Sequence, residues 1–342
     1  MPKLCVMPGD GIGQEVVPAA VEVLTAVIPD LEIVEAEAGW GTFEAQGVSV
    51  PPATLDTIRE CGAGLFGAVS SPSKKVAGYR SAILTMRQEL DLYANLRPVL
   101  SWPKVSPRPD IDMLIVRENT EGLYSGRERV EDDGETAVAE RVITKRASLR
   151  IAEKTLELMQ SQKRKKLTIV HKANVLPLTD GLFRDAVLEI FNAKTQSVEE
   201  GKERFTVDEL LVDVAALKMV AEPQRFDVVV TTNLFGDILS DAASHWGGGL
   251  GLSPSLNWGD GVAVAEPVHG SAPDIAGQRL ANPIAAILSA SMLVRYVWGL
   301  VAEADRIDMA VSNALEKSAI WPMGKAGVTD VITQAILNEI GD

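Results

Sequence analysis

The chain has 342 residues, 46% of them hydrophobic and 23% charged, which is enough apolar side chain for two ordinary domains and too little charge for a disordered polymer. A formal charge of -14 disfavours nucleic acid or an anionic membrane surface as the main partner, because attraction to phosphate dominates such binding. An anionic small-molecule ligand would therefore need local basic residues or a metal.

The first strand run, KLCVM, feeds PGDGIG at residues 8–13 and then a helical pattern over Glu15–Val27. With Pro8 and glycines breaking the N-terminal run, and only Cys5 and Cys61 in the chain, a reducing, cytoplasmic setting is expected. PGDGIG superficially matches a dinucleotide fingerprint. The spacing fails, because after Gly9 and Gly11 the third required position is Gln14, so an ordinary Rossmann domain is rejected. Pro51-Pro52 marks a loop, AGLFGAV a second strand, and the prolines from Pro98 to Pro109 a candidate crossing between domains.

MRQELDLYANLRP and IVRENTEGLY supply Arg87, Arg97 and Arg117, each beside apolar neighbours. A guanidinium grips a carboxylate with two parallel hydrogen bonds, so several can orient a di- or tricarboxylate; separate structural pairs with Glu89, Asp91 and Glu118 are the plainer alternative. Tyr124 ends this segment. Residues 126–145 alternate weakly around Asp132-Asp133-Gly134, which suits an exposed hairpin or a charged surface loop equally. A helical pattern over Ser148–Met159 precedes LTIVH, and Lys172 follows that strand. Tyr124 and Lys172 are both proton-shuttle types, though most residues of either kind do no such work. His171 stands without the Cys or His cluster that zinc requires.

DVVVTT then runs through Asn233 and Gly236 into a helix where Asp237 and Asp241 stand four apart. That spacing puts both carboxylates on one face, where they repel unless a cation lies between them, and their oxygens suit magnesium or manganese. Alternatively, Asp237 only complements the helix dipole and Asp241 is solvated. A Gly/Pro-rich loop at residues 265–283 can wrap an adenosine while Asp274 accepts hydrogen bonds from ribose hydroxyls; Asn282 caps the next helix, whose first turn holds Pro283. Ile284 to Leu300, interrupted by Ser289, Ser291 and Arg295, reads as a buried helix, too short to span a bilayer comfortably. The alternation of short apolar runs with helical stretches makes the chain α/β.

PGDGIG, the arginine segment, RENTEGLY, HKANVLPLTDG, NLFGDILSD and EPVHGSAPDIAG occur in an order and at separations that resemble the β-decarboxylating dehydrogenases, the family of isocitrate, 3-isopropylmalate, homoisocitrate and tartrate dehydrogenases. The likeness spans nearly the whole chain. It implies the two-domain α/β fold of isopropylmalate dehydrogenase: a discontinuous cofactor domain at 1–96 plus 248–342, and a substrate, metal and dimerisation domain at 97–247 with an arm near 126–145. It further implies that Asp237 and Asp241 bind magnesium or manganese, with Asp213 supplied to the same ion by the partner subunit. Arg87, Arg97 and Arg117 would hold the malate moiety of the substrate. Tyr124 would protonate the enolate, and Lys172 would act across the subunit boundary on the substrate hydroxyl. NAD would meet Ile12, Glu266, His269, Gly270, Ser271, Ala272, Asp274 and Asn282. Shared sites imply a homodimer or a dimer of dimers. Val214 follows Asp213 where several relatives carry Asn, so the polar contact of that Asn to the nicotinamide is not carried over. Residues 321–330, WPMGKAGVTD, are unlike the glycine-rich segment of relatives and receive no role.

Before Arg87, Ser81-Ala82-Ile83 looks like the Ser-Pro-Ile of several homoisocitrate enzymes, and Arg80 can reach a distal carboxylate, whereas Leu84 suits an apolar wall. The expected reaction is therefore NAD-dependent conversion of homoisocitrate to 2-oxoadipate in lysine biosynthesis, with activity on isocitrate. Isopropylmalate or isocitrate dehydrogenase is the alternative. A non-catalytic regulatory subunit would usually lose metal or acid–base residues, and all are present; a phosphatase or kinase would need a phosphate loop such as GxxxxGK[ST], which the sequence lacks.

Overall fold

The computed structural model describes residues 1–72, 74, 76–196, 205–317 and 327–341. Strand β1 (Lys3–Gly9) leads into α1 (Gly13–Val27), followed by β2 (Glu32–Glu35), α2 (Trp40–Gln46), α3 (Pro52–Cys61), β3 (Ala63–Ala68) and α4 (Ala82–Glu89). The middle of the chain carries β4 (Ala94–Leu100), β5 (Asp112–Glu118), β6 (Glu128–Glu131), β7 (Thr136–Ala139), α5 (Lys145–Ser161), β8 (Lys166–His171), α6 (Thr179–Gln196), β9 (Thr206–Leu211), α7 (Val212–Ala221), β10 (Val228–Thr231) and α8 (Asn233–Ala243). It returns through β11 (Pro254–Trp258), β12 (Ala263–Pro267), α9 (Ile284–Met292), α10 (Val301–Lys317) and α11 (Val328–Gly341).

Two compact units result: Met1–Leu92 with Ser101–Pro109 and Gly247–Asp342, and Tyr93–Leu100 with Asp110–Trp246. Residues 93–96 and 101–109 fall on opposite sides of the division drawn from sequence. The reason is pairing: β4 runs antiparallel to β5 from Ala94↔Glu118 to Leu100↔Asp112, so the whole strand belongs with β5.

In the first unit, β2, β1, β3 and β12 run parallel, and β11 pairs antiparallel with β12. The run LCVM in β1 is buried because helices cover the sheet; α1 packs its face of Val16, Val17, Ala20, Val23 and Leu24 against α9 and α11. All nine residues of α9 are buried, as a helix apolar on nearly every side must be, and a π-helical turn continues it over Leu293–Val297. Gly11 explains the glycine motif: its φ is +55°, and a Cβ there would lie 2.1 Å from the Ser271 carbonyl oxygen. That glycine packs backbone on backbone.

In the second unit, β5, β10, β8 and β9 run parallel beside the antiparallel β4. Val99, Met113, Ile115, Val170, Val229 and Leu239 belong to its core. Truncating a core Leu, Ile or Met of this kind to Ala costs about 2–5 kcal/mol. The alternation at 126–145 forms a hairpin, β6 paired with β7, turning at Asp132–Gly134. Among the described residues, no helix is long and apolar enough to cross a membrane. Residues 321–326 of the segment left without a role lie outside the described residues.

Candidate active site

Arg97 and Arg117 come to one place because β4 and β5 pair side by side, with Asn95 opposite Arg117 and Arg97 two residues further along β4 on the same face. Helix α8, which leaves the end of β10, lies against them. Gly236 on this helix is required by space: a Cβ there would sit 2.6 Å from the Arg117 side chain. Both guanidiniums are buried, at 7% and 1% exposure, and a buried cation must be paired.

The partners come from α8. Arg117 donates from Nε and Nη2 to Asn233 Oδ1, at 3.0 and 2.7 Å, and from Nη1 to Asp237 Oδ1 at 2.5 Å. Arg97 donates from Nη1 to Ser240 Oγ at 2.7 Å and to Asp241 Oδ1 at 3.0 Å, and its Nη2 lies 3.2 Å from Asp237 Oδ1. Asn95 accepts from Arg97 Nε at 2.8 Å, which fixes the fork. The Tyr124 hydroxyl donates to Asp237 Oδ2 at 2.5 Å, and its ring lies under Arg117, 5.2 Å from the guanidinium carbon. Burial, followed by the hydrogen bond to Asp237, holds the Tyr124 hydroxyl above its ordinary pKa, so it keeps its proton at neutral pH. Burial also raises the Asp241 carboxyl, against the pull of Arg97.

Lys172, one residue past β8, reaches Asp213 in the first turn of α7 with a short salt bridge. The hydrogen bond from Lys172 holds the exposed Asp213 carboxyl below its ordinary value. Among the described residues of a single chain, no three His, Cys, Asp or Glu side chains gather where a metal could sit. Asp237 and Asp241 nevertheless fit a hard cation: both are oxygen donors one helical turn apart, and 53% of the Asp241 side chain remains in solvent.

Arg87 belongs to the other unit. Buried on α4, it donates from Nε to Asn257 Oδ1 at 3.0 Å and from Nη2 to Glu266 Oε1 at 2.8 Å; Asn257 Nδ2 donates to the same Glu266 oxygen at 2.8 Å. Glu266 thus sits on β12 as the counter-ion of Arg87. Ser81 precedes the first residue of α4 and Arg80 is exposed. The loop after β12 is braced from several sides. Ile12 donates its N–H to the Ser271 carbonyl at 2.9 Å, Ser70 Oγ to Ser271 Oγ at 2.9 Å, and Gly277 N–H to Glu15 Oε1 at 2.6 Å. Asn282 Oδ1 accepts the Ile284 N–H at 3.0 Å across Pro283, which is itself the N-cap of α9, so the Asn stands one residue ahead of the cap position expected for it. His269 Nδ1 lies 3.0 Å from the Gly270 carbonyl, and burial lowers this imidazole's pKa. Ala272 takes a positive φ of 39° and Asp274 points into solvent.

Sequence reading missed Asn95, Ser240, Asn257 and Asp10. Asp10 accepts from the N–H groups of Trp40, Gly41 and Ser70 at 2.7, 3.0 and 2.8 Å, tying α2 and the end of β3 to the glycine turn. The signal for Asp10 was its place inside PGDGIG; the others depend on pairing between distant segments and leave no local signal.

Residues 3–340 match the family model described as isocitrate/isopropylmalate dehydrogenase. The chain belongs to that family. It is 51% identical over 339 residues to the isocitrate/homoisocitrate dehydrogenase of Thermus thermophilus, covering 99% of this chain and 98% of that one. It is 47% identical over 327 residues to the 3-isopropylmalate/3-methylmalate dehydrogenase of Methanocaldococcus jannaschii, with 94% and 93% covered. The solved isocitrate dehydrogenase of Methylococcus capsulatus superposes over the full length of both chains with a TM-score of 0.92 at 38% identity. Fold and family are therefore those the six motifs implied, and the protein is a β-decarboxylating dehydrogenase.

Proposed function

We propose that this enzyme is a cytoplasmic, NAD-dependent, magnesium- or manganese-requiring homoisocitrate dehydrogenase that forms 2-oxoadipate and also accepts isocitrate. The observation that carries the reading is the paired-arginine, paired-aspartate cluster of Arg97, Arg117, Asp237 and Asp241 with the Tyr124 hydroxyl at its edge. When bound, a divalent cation on Asp237, Asp241 and the partner's Asp213 supplies Lewis-acid polarisation, and NAD on the Ile12 and 265–283 segments supplies the hydride acceptor. Arg87, Arg97 and Arg117 orient the carboxylates of the substrate. Lys172, or a water, takes the proton of the substrate hydroxyl as hydride leaves the carbon. Loss of carbon dioxide from the resulting β-keto acid leaves an enolate, to which Tyr124 delivers the proton it has kept.

Substrate choice rests on Arg80 and Ser81 at the start of the helix carrying Arg87, and on the likeness to a relative named for isocitrate and homoisocitrate. Isopropylmalate is the second reading, favoured by Leu84 on the same helix and by the 47% identical relative named for it. For NAD over NADP, the support is Asp274: an exposed carboxylate on the cofactor loop accepts from ribose hydroxyls and repels a 2′-phosphate. A homodimer is supported by the large apolar side chains left in solvent on α7 and α8, Leu217, Val220 and Ile238. It supplies the Lys172 and Asp213 of each site from the opposite subunit, with the hairpin β6–β7 as the joining arm.

Incubating the protein with homoisocitrate, NAD and magnesium should yield NADH and carbon dioxide in equal amounts. A chelator should abolish turnover, and kcat/KM should be lower with NADP. NADH formation that ignores chelation, or a higher kcat/KM with NADP, contradicts the reading.

A further inference from the structure

One ionic contact in the second unit is unused by this mechanism. Asp180, at the start of α6, is fully buried, and its Oδ1 lies 2.5 Å from Nη2 of Arg141, which follows the hairpin β6–β7. Each end of the pair holds a different set of groups. On the Asp180 side, Oδ2 accepts the backbone N–H of Lys172 at 2.6 Å. On the other, Arg141 donates to Thr232 Oγ1 at 2.8 Å, in the residue preceding α8, and its guanidinium carbon lies 4.7 Å from the centre of the Phe235 ring on that helix. The neighbouring Val142 accepts from Gly122 N–H at 2.8 Å, at the base of the turn that presents Tyr124.

We infer that Arg141 and Asp180 are positioning residues that join two half-sites within one subunit: the half it keeps (Tyr124, Asp237, Asp241) and the half it lends to its neighbour (Lys172, Asp213). The inference rests on the shared-site reading above. A buried ion pair is a poor source of net stability, because desolvation offsets its attraction; its geometry, with each charge also hydrogen-bonded to a different part of the site, suits it to fixing position. Asp180 fixes the backbone of Lys172, and Arg141 fixes the entry to α8 and the Tyr124 turn.

Asp180→Asn should therefore injure the lent half. Its kcat should fall on the order of 100-fold with KM little changed, as misplacing a reacting group by about 1 Å does. Without cofactor or substrate, the Lys172 amide should lose hydrogen-exchange protection while α8 keeps its own. Arg141→Lys retains the charge but not the planar guanidinium whose Nη2 meets both Asp180 and Thr232 while its face lies over Phe235 on α8, so it should injure the kept half. Hybrid dimers separate the two cases. Asp180→Asn paired with Asp237→Asn should regain one active site, and paired with Lys172→Ala should regain none. Arg141→Lys should show the reverse pattern, and it decides the matter if Asp180→Asn does not fold. Lys172→Ala paired with Asp237→Asn is the control. A control hybrid that stays inactive overturns the shared-site reading and this inference with it. A control that recovers while the other crosses recover in the wrong pairings, or in none, overturns the inference alone.

Discussion

Two buried clusters of arginine and carboxylate, one in each unit, make opposite use of the same chemistry. In the first unit, Arg87 and Glu266 are 7% and 12% exposed, and Asn257 bonds to both, so the acid is spent on its guanidinium. In the second, Arg97 and Arg117 are as deeply buried, yet Asp237 and Asp241 keep 32% and 53% of their side-chain surface in solvent. The arginines there have buried charge to balance, while the acids retain faces that another ligand can meet. An arginine–carboxylate contact thus does not decide what the carboxylate is for. Its exposure does.

The comparison is sharpened most by the group that distinguishes the second cluster chemically, the Tyr124 hydroxyl on Asp237. Tyr124→Phe should slow the final protonation by roughly 10²–10⁴-fold while sparing hydride transfer, since a general acid contributes about that much. Reduction of the oxo acid intermediate by NADH is the assay for the separate step. A variant like the wild type in every partial reaction makes Tyr124 structural.

Next in size is the contrast between the acids themselves. Asp237→Asn or Asp241→Asn should raise the magnesium requirement by at least the roughly 10–100-fold that changes behind a metal's direct ligands cost. Glu266→Gln should leave that requirement alone and instead lower the unfolding temperature, because stranding a buried Arg87 costs about 3–5 kcal/mol. Magnesium titrations and thermal melts of the three variants read both effects. Unchanged magnesium dependence in the Asp variants, or a shifted one in Glu266→Gln, breaks the distinction.

Legibility in the sequence followed the range of the interaction. The α/β alternation, the buried helix at Ile284, the hairpin at 126–145 and the separation of Asp237 from Asp241 are local patterns, and each appears where its period placed it. Strand β4 was obscured because Asn95, Arg97 and Pro98 interrupt its apolar run, and pairing with β5 makes the segment a strand; the crossing marked by the prolines begins beyond it, since residues 101–109 belong to the first unit and those on either side to the second. The cofactor loop was recognised by its glycines and prolines, but its brace from Glu15 spans 262 positions. The roles of Asn257, Ser240 and Arg141 likewise depend on contacts that no spacing rule encodes.

The central claim is the reaction together with its substrate, and the most direct measurement is kcat/KM for homoisocitrate, isocitrate and isopropylmalate with NAD and magnesium, repeated on Arg80→Ala. Homoisocitrate should lead, isocitrate should follow closely, and isopropylmalate should trail by about tenfold to a hundredfold, because its apolar branch leaves Arg80 and Ser81 unpaired at a cost of about 1–3 kcal/mol. Arg80→Ala should depress homoisocitrate turnover far more than that of isopropylmalate. Equal losses on both would show that Arg80 does not read the distal carboxylate, and a wild-type preference for isopropylmalate would contradict the account.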